Sequence, residues 1–292
     1  MKCIWKRTLL GVLAPSLTIG ISSSALAHGV VGQRFFPATI TTDDPFAADE
    51  LALPTVTSFD HETEIDFDYS KTILPGFAIE VDMGHVNSRL PGESRARGFG
   101  NLEVSPTLEL YRNPTHEFIV SGGLGWEIGG TGSKSVAERS STYTPTIKFG
   151  KGFGDLPDAL GFLRPLAVTG TVGYSIRGGG DEPRSIEWGG AIEYSLLYLQ
   201  NNVHDEGFGN FVSHLTPVVE FSLSSPTDGS GTTGTINPGL FWSGQFLQLG
   251  AEAVLPVNKA SGHGVGFIAQ LHFYIDDLFP HSLGKPIFGD KK

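Results

Sequence analysis

The sequence predicts an all-β protein, an antiparallel up-and-down transmembrane β-barrel of about 12 strands. Three observations support this fold: an export signal at the N-terminus, period-two hydrophobicity over the rest of the chain, and connections that alternate between short and long. The chain holds 39 Gly and 20 Phe among 292 residues, and only 17% of its residues are charged. Aromatic residues therefore recur along the whole length without forming long apolar runs.

The first 27 residues have the three regions of a secretory signal peptide. Lys2, Lys6 and Arg7 form a positive start, an apolar run extends from about Leu9 to Ile21, and Ala25-Leu26-Ala27 is a cleavage motif. The apolar run is too short and too interrupted for a permanent membrane helix, although an uncleaved anchor is the alternative. We expect export and, with the barrel pattern, residence in the outer membrane of a Gram-negative bacterium.

Charge and cysteine content exclude several functional classes. Removing Lys2, Lys6 and Arg7 with the signal lowers the formal net charge from −11 to −14, which argues against a nucleic-acid partner. The single cysteine, Cys3, lies inside the signal, so the mature chain has no disulfide, thiolate metal site or cysteine nucleophile.

Apolar and polar residues alternate in about eleven segments of roughly ten residues, the length at which a tilted strand crosses a bilayer. In the first of them Ile65, Phe67 and Tyr69 occupy every second position, and acidic residues occupy the positions between them. Each of these two sets of alternate positions is here called a parity. The segments lie within residues 64–70, 77–84, 102–110, 118–128, 143–149, 166–176, 186–196, 215–223, 236–242, 247–255 and 265–275.

The connections predict both the orientation and one further strand. Short connections at 71–75, 112–115 and 243–245 are typical of periplasmic turns, and longer Gly- and Ser-rich connections near 85–99, 129–141, 177–184, 224–232 and 257–263 are typical of outer loops. The junctions at 152–162 and 200–210 are long where short turns are expected. Bacterial single-chain barrels normally have an even number of strands, so we predict a poorly patterned strand within residues 51–60.

These features give a domain organisation in four parts. Residues 1–27 form the signal peptide, 28–50 an irregular segment, 51–276 the barrel and 277–292 a C-terminal tail. The irregular segment is either a plug or a periplasmic tail. Its charges at Asp43-Asp44-Pro45 and Asp49-Glu50 argue against a deep apolar plug but leave a polar one open.

A soluble β-sandwich is the alternative fold. Sandwich strands also alternate, but usually over shorter spans and with polar residues on the outer face. Here the apolar parity is aromatic at the strand ends, and the other parity carries Gly, Ser, Thr and acids. That distribution favours a barrel in lipid.

If the apolar parity faces lipid, the lumen is acidic. The predicted lumen and selectivity residues are Glu64, Asp66, Asp68, Glu80, Asp82, Glu103, Glu109, Glu193, Glu220 and Glu252, with Lys148 and Arg177 as the main basic residues; Glu127 and Glu187 share the inward parity. Confined like charges attract cations, so we expect a narrow, cation-preferring channel for small solutes, with Asp66, Asp68, Glu80 and Asp82 as its most acidic wall. The alternative is that the carboxylates are structural and hydrogen-bonded across the lumen.

Other chemistries have weaker support. His28, the expected mature N-terminus, could bind copper with His61, His85 or His116, but these have no recognisable ligand spacing. Ser213-His214 and Ser261-x-His263 make no hydrolase motif, because neighbouring residues on a strand point apart. The glycines at 129–130 and 178–180 precede no helix and do not predict a phosphate site. We therefore expect no enzyme activity, no metal site and no cofactor.

Three stretches carry a resemblance to a known family. They are Gly98-Phe99-Gly100-Asn101-Leu102-Glu103, the segment from Glu64 to Leu74, and Gln248-Leu249-Gly250-Ala251-Glu252-Ala253-Val254-Leu255-Pro256. Over residues 60–276 the chain resembles a loosely defined family of outer-membrane transporters associated with the meta-pathway of phenol degradation. The resemblance implies a small barrel with an uptake role and transfers no catalytic residues.

The C-terminus departs from the common pattern. Outer-membrane barrels commonly end with an aromatic residue that the assembly machinery reads, whereas here a tail ends in Lys291-Lys292. An internal signal around Phe273 to Phe279 is the expected substitute. The expected partners are membrane lipid, small solutes or cations, and that machinery. A non-conducting barrel with a structural or surface-interaction role is the alternative function.

Overall fold

A computed structural model describes residues 29–89, 94–179 and 183–289. The predicted signal peptide and His28 lie outside these residues. No helix in the described ranges is long and apolar enough to cross a membrane.

Within the described ranges, twelve long antiparallel strands close into a barrel, as predicted. Each pairs with the next in sequence, and the last pairs with the first. The barrel strands are β3 (Glu50–Phe59), β4 (Glu62–Leu74), β5 (Phe77–Ser88), β7 (Leu102–Asn113), β8 (Phe118–Ile128), β9 (Thr142–Gly152), β10 (Leu166–Arg177), β11 (Ser185–Tyr194), β12 (Leu215–Pro226), β13 (Thr233–Ser243), β14 (Leu247–Pro256) and β15 (Gly266–Tyr274). A hairpin of β1 (Val30–Val31) and β2 (Arg34–Phe35) precedes them, and the short β6 (Ala96–Phe99) extends the edge of β5.

Strand β3 is the strand that the parity argument predicts within residues 51–60. Its pairing register with β4 shifts between Ala52 and Thr55, around Pro54. Ala52 and Thr55 are both buried although three positions apart, so the alternation breaks inside the strand. This bulge explains why period-two analysis alone misses β3.

The outer face of the barrel is apolar. Side chains such as Ile65, Val172 and Leu249 are nearly half exposed on the outward parity of their strands. Aromatic rings lie at both ends of the barrel: Trp126 stacks on Tyr143 at one end, and Trp242 lies at the other. An apolar outer band bordered by aromatic residues is the pattern of a barrel embedded in lipid.

The two ends of the barrel carry different connections. The end at which β3 begins and β15 ends, here called the inner end, carries residues 75–76, 114–117, 153–165, 195–214 and 244–246, and the opposite, outer end carries the other connections. The two inner connections predicted to be anomalously long contain a 3-10 helix (Asp158–Leu163) and the helices α1 (Leu196–Asn202) and α2 (Asn210–Ser213).

The chain after β15 returns to the inner end of β4. The short helix α3 (Ile275–Leu278) follows directly, and then Ile287 and Phe288 donate backbone hydrogen bonds to Thr72 and Ile73. Lys71 Nζ donates to the carbonyl oxygens of Leu283 and Lys285 at 2.8 and 2.6 Å. The described part of the tail is therefore packed against the barrel.

Candidate functional site

The lumen contains the N-terminal segment. Residues 29–49, here called the plug, enter from the inner end, turn at a tip formed by residues 39–44 and return to the start of β3. The tip is polar, but Phe36 and Phe46 form an apolar base against Ile119 and Ala167 inside the barrel. The plug is therefore polar at its tip, where Asp43 and Asp44 lie, and apolar at its base.

Glu220, a predicted lumen residue on β12, holds the plug tip. Its carboxylate accepts hydrogen bonds from Ile40 N at 2.8 Å and from Thr41 N and Oγ1 at 2.7 Å each. Nearby, Gln248 Nε2 donates to Ala38 O at 2.6 Å. This wall of the barrel thus uses a carboxylate structurally, as the alternative for the lumen acids supposed.

The opposite wall also contacts the plug. Ser121 Oγ donates to Pro45 O, and Lys148 Nζ lies 3.1 Å from Asp43 Oδ2 and 3.3 Å from Thr107 Oγ1. Lys148, one of the two predicted basic lumen residues, therefore contacts both the plug and the barrel wall.

Glycines on the inward parity make room for the plug. A Cβ atom at Gly250 would lie 2.6 Å from Ile40 Cδ1, and one at Gly189 would lie 2.9 Å from Thr42 Oγ1. A larger residue at either position would force the plug side chain to shift. Glycines at inward positions are the sequence signal that could have predicted a filled lumen.

A buried ion pair anchors the plug base to the inner-end connections. Arg34 Nε lies 3.3 Å from Glu117 Oε2, its guanidinium stacks 3.8 Å from the centre of the Tyr198 ring, and Nη1 donates to Pro165 O at 2.9 Å. Glu117 also accepts from Tyr198 OH at 3.0 Å and from Gly154 N at 3.0 Å. The long connections at 153–165 and 195–214 thus close over the base of the plug.

Burial sets the protonation of this anchor. It raises the pKa of Tyr198 to about 12, and the neighbouring Glu117 carboxylate adds to the rise. Burial also lowers the pKa of Arg34, although Glu117 and Tyr198 act in the opposite direction. Tyr198 is consequently a neutral hydrogen-bond donor at physiological pH. Arg34, Glu117 and Tyr198 are far apart in the chain, and no sequence motif marks any of them.

We expect Arg34→Ala to release the plug base. The substitution leaves Glu117 buried without its cation, a loss typically of about 3–5 kcal/mol, so the base should open at least tenfold more often. The readout is the rate of chymotrypsin cleavage after Phe35 in the protein purified in detergent. The control is Arg95→Ala, because Arg95 is exposed at the outer end and, among the described residues, donates to Asn87 rather than to the plug. Equal cleavage of both variants would contradict the anchor.

Four inward carboxylates form a continuous row on the wall that the plug tip does not bond. Asp68 on β4 pairs with Asp82 on β5, Asp82 pairs with Glu103 on β7, and Glu103 pairs with Glu127 on β8. Directly opposed like charges destabilise a sheet, so this acidic row has an energetic cost. Such a cost is common where residues are kept for function.

The other predicted lumen acids are spread around the barrel. Glu64 and Asp66 lie toward the outer end of β4 and face the Cα of Gly84, and Glu109 lies at the inner end, where it accepts from Ala47 N at 3.3 Å. Glu193 and Glu252 are buried near Glu220. Glu187 accepts from Ser224 Oγ at 2.9 Å, and Arg177 lies at the outer end of β10.

Two cavities remain between the plug and the barrel wall. The larger, about 490 Å³ and here called the lumen chamber, lies between residues 38–46 and strands β3, β4, β5, β7, β9 and β15. It is bordered by Glu80 and by three members of the acidic row, Asp68, Asp82 and Glu103. The smaller, about 160 Å³, lies on the other side of the tip beside Glu187. The structure thus brings four of the predicted acids around one chamber.

The weaker site candidates are not brought together. His61 lies in an outer-end turn, whereas His116 lies at the inner end, where its Nδ1 is 2.9 Å from Asp155 Oδ2. Ser213 Oγ is 3.2 Å from His214 Nδ1, but the same nitrogen lies 2.6 Å from Asn210 O and is oriented by that carbonyl. The described residues contain no group of three or more His, Cys, Asp or Glu side chains able to hold a metal ion.

Comparison with known proteins identifies the architecture. In fold, the barrel is similar to the KdgM porin. The two chains are 13% identical with a TM-score of 0.50, and the match covers 77% of this chain and 98% of KdgM. A second KdgM structure, in complex with disordered oligogalacturonate, gives the same values.

Two further solved structures match with lower scores. The NanC porin is 11% identical with a TM-score of 0.48, over 78% of this chain and 98% of NanC. An outer membrane channel from Pseudomonas putida F1 is 12% identical with a TM-score of 0.46, over 82% of this chain and 98% of that channel. No family model and no curated protein sequence matches the chain.

Proposed function

We propose that this protein is an outer-membrane channel for small solutes, with a preference for cations. The observation that carries the proposal is the lumen chamber, an open space bordered by the acidic row beside the plug. Rings of acidic side chains favour cation passage in pores generally, and carboxylates inside low-dielectric walls concentrate counter-ions.

The charge balance of the lumen chamber supports the cation preference. Seven carboxylates border it, against one lysine and one histidine. KdgM was solved with an oligogalacturonate, an anion. An acidic lumen would repel such a ligand, so we assign this chain solutes of the opposite charge.

A non-conducting barrel with a structural or surface-interaction role is the second candidate. The many bonds that fix the plug favour it, because a plug held at both tip and base obstructs the lumen. In that case the outer loops, such as residues 129–141 and 227–232, would carry the function.

The proposal includes an outer-membrane location and a range of small solutes. Residues 1–27 would direct export and be removed, and aromatic residues between Phe273 and Phe279 would serve the outer-membrane assembly machinery. The sequence resemblance implies uptake linked to phenol degradation, so aromatic solutes belong in any substrate test.

Liposome swelling tests conduction directly. We expect proteoliposomes to swell faster in lysine than in glucuronate of the same osmolarity, and faster in benzylamine than in benzoate, because the acidic row attracts the cation of each pair. Protein-free liposomes provide the baseline. Swelling that favours the anions would contradict the cation preference, and the absence of swelling in all four solutes would favour the non-conducting barrel.

A further inference from the structure

The two long inner-end connections carry large apolar side chains on their surface. Phe162, in the 3-10 helix, is 62% exposed, and Phe211, in α2, is 65% exposed. Both fractions exceed the 49% of Val172 in the apolar outer band of the barrel. Leu160 and Val212, close to the two phenylalanines in sequence, are exposed as well. Exposed apolar surface of this kind marks a site of interaction with a protein or a membrane.

The contacts of these connections place them on the outer side of the barrel wall. The ring of Phe211 stacks on Trp242, with centroids 6.0 Å apart and 20° between the ring planes. Trp242 is on the outward parity of β13, like the exposed Leu240. Tyr194, on the outward parity of β11, donates from its hydroxyl to Phe162 O at 3.1 Å. Both connections are therefore continuous with the lipid-facing band.

The two connections form one surface with a compensated charge. Ser195 N donates to Pro165 O at 3.1 Å, which joins the start of one connection to the end of the other. Close to Phe162, Arg164 Nη2 lies 2.7 Å from Asp158 Oδ1. Because a paired charge is less costly to remove from water than a free one, this part of the surface can approach lipid.

We propose that residues 153–165 and 195–214 bind phospholipid in the leaflet at the inner end. Phe162 and Phe211 would insert at the boundary between headgroups and acyl chains, where the apolar residues of interfacial segments lie. Lipid is the occupant because Trp242 and Tyr194, against which these connections pack, belong to the face that the bilayer covers. The inference rests on the membrane location in the proposed function and requires no conduction.

Electron paramagnetic resonance of single nitroxide labels tests the proposal. Cys3 is the only cysteine, so a Cys3→Ser background leaves one labelling site in each variant. Labels at Phe162→Cys and Phe211→Cys would be measured in vesicles of phosphatidylcholine and phosphatidylglycerol. We expect the ratio of collisions with oxygen, which concentrates in lipid, to collisions with a water-soluble nickel complex to be several-fold higher than at Asp205→Cys. Asp205 is the matched control because it is an exposed, charged residue of the same connection as Phe211.

Two further measurements keep the test independent of label effects. Val172→Cys, in the outer band, is the control for a barrel embedded in lipid. Heat-modifiable migration on gels verifies that each variant is folded. If a label prevents folding, Phe162→Trp and Phe211→Trp replace it, and brominated phospholipids should quench the added tryptophan fluorescence more strongly than a water-soluble quencher does.

The outcomes separate this inference from the proposed function. Nickel-dominated collisions at both phenylalanine positions, with oxygen-dominated collisions at Val172→Cys, would overturn the lipid site alone. Low accessibility to both reagents would also overturn it, because a protein contact, such as a second copy of the chain, would then cover the surface. Nickel-dominated collisions at Val172→Cys would contradict the membrane location itself. Oxygen-dominated collisions at Phe162 and Phe211 would support the lipid site even if liposome swelling fails.

Discussion

Deletion of residues 29–47 should raise the single-channel conductance several-fold. This segment forms most of the plug, and its tip crosses the lumen between Glu220 on one wall and Lys148 on the other. The hydrogen bonds that close the barrel join strands β3 to β15 and do not involve the deleted residues. The shortened chain should therefore insert normally and conduct through a wider path, as measured in planar bilayers.

Deletion of residues 227–231 is the control for this experiment. They form an exposed outer-end connection between β12 and β13, so their loss shortens the chain without emptying the lumen. We expect this variant to conduct like the wild type. If the plug deletion inserts as a folded barrel and its conductance does not rise, the plug does not limit the path.

Neutralising the acidic row beside the lumen chamber should abolish most of the cation preference. In the triple variant Asp68→Asn, Asp82→Asn and Glu103→Gln, each carboxylate is replaced by an amide of similar size. Focused charge of this kind concentrates counter-ions about tenfold or more. The ratio of cation to anion permeability, obtained from the reversal potential in a salt gradient, should fall by a similar factor.

A second triple variant provides equal charge removal outside the lumen. Asp205→Asn, Glu206→Gln and Asp228→Asn change exposed residues in connections at the two ends of the barrel. Surface charges are screened beyond about 8 Å in physiological salt, so this variant should keep the wild-type selectivity. Equal loss of selectivity in both triple variants would mean that general surface charge, rather than the acidic row, attracts the cations.

Local periodicity predicted much of the fold. Ile65, Phe67 and their equivalents on the other strands give the outward parity directly, because the outer face of each strand is set by alternation along that strand. The even number of strands then predicted β3, which the bulge at Ala52 to Thr55 conceals from pattern analysis. Fold prediction succeeded here because a barrel is built from local alternation.

The plug could not be predicted in the same way. Its anchor joins Arg34 to Glu117 and Tyr198, residues 83 or more positions away from Arg34, and nothing local in the sequence indicates that pairing. The inward carboxylates also look alike in sequence. Hydrogen bonds in the folded barrel show that Glu220 holds the plug tip, and the strand register shows that Asp82 lies between two other acids.

The plug and the acidic row have complementary roles in the proposed channel. The plug bonds one wall through Glu220 and Gln248 and the other through Ser121 and Lys148, and the lumen chamber lies between its tip and the acidic row. The open part of the lumen is therefore the part that borders the acidic row. A solute would pass the acidic row rather than the centre of the barrel.

The reversal potential of the wild-type protein tests the central claim most directly. Single channels would be recorded in a planar bilayer with a tenfold gradient of potassium chloride. Our account predicts small, steady openings whose reversal potential has the sign of a cation-selective pore. A reversal potential of the opposite sign, or a folded protein that inserts and never conducts, would contradict it.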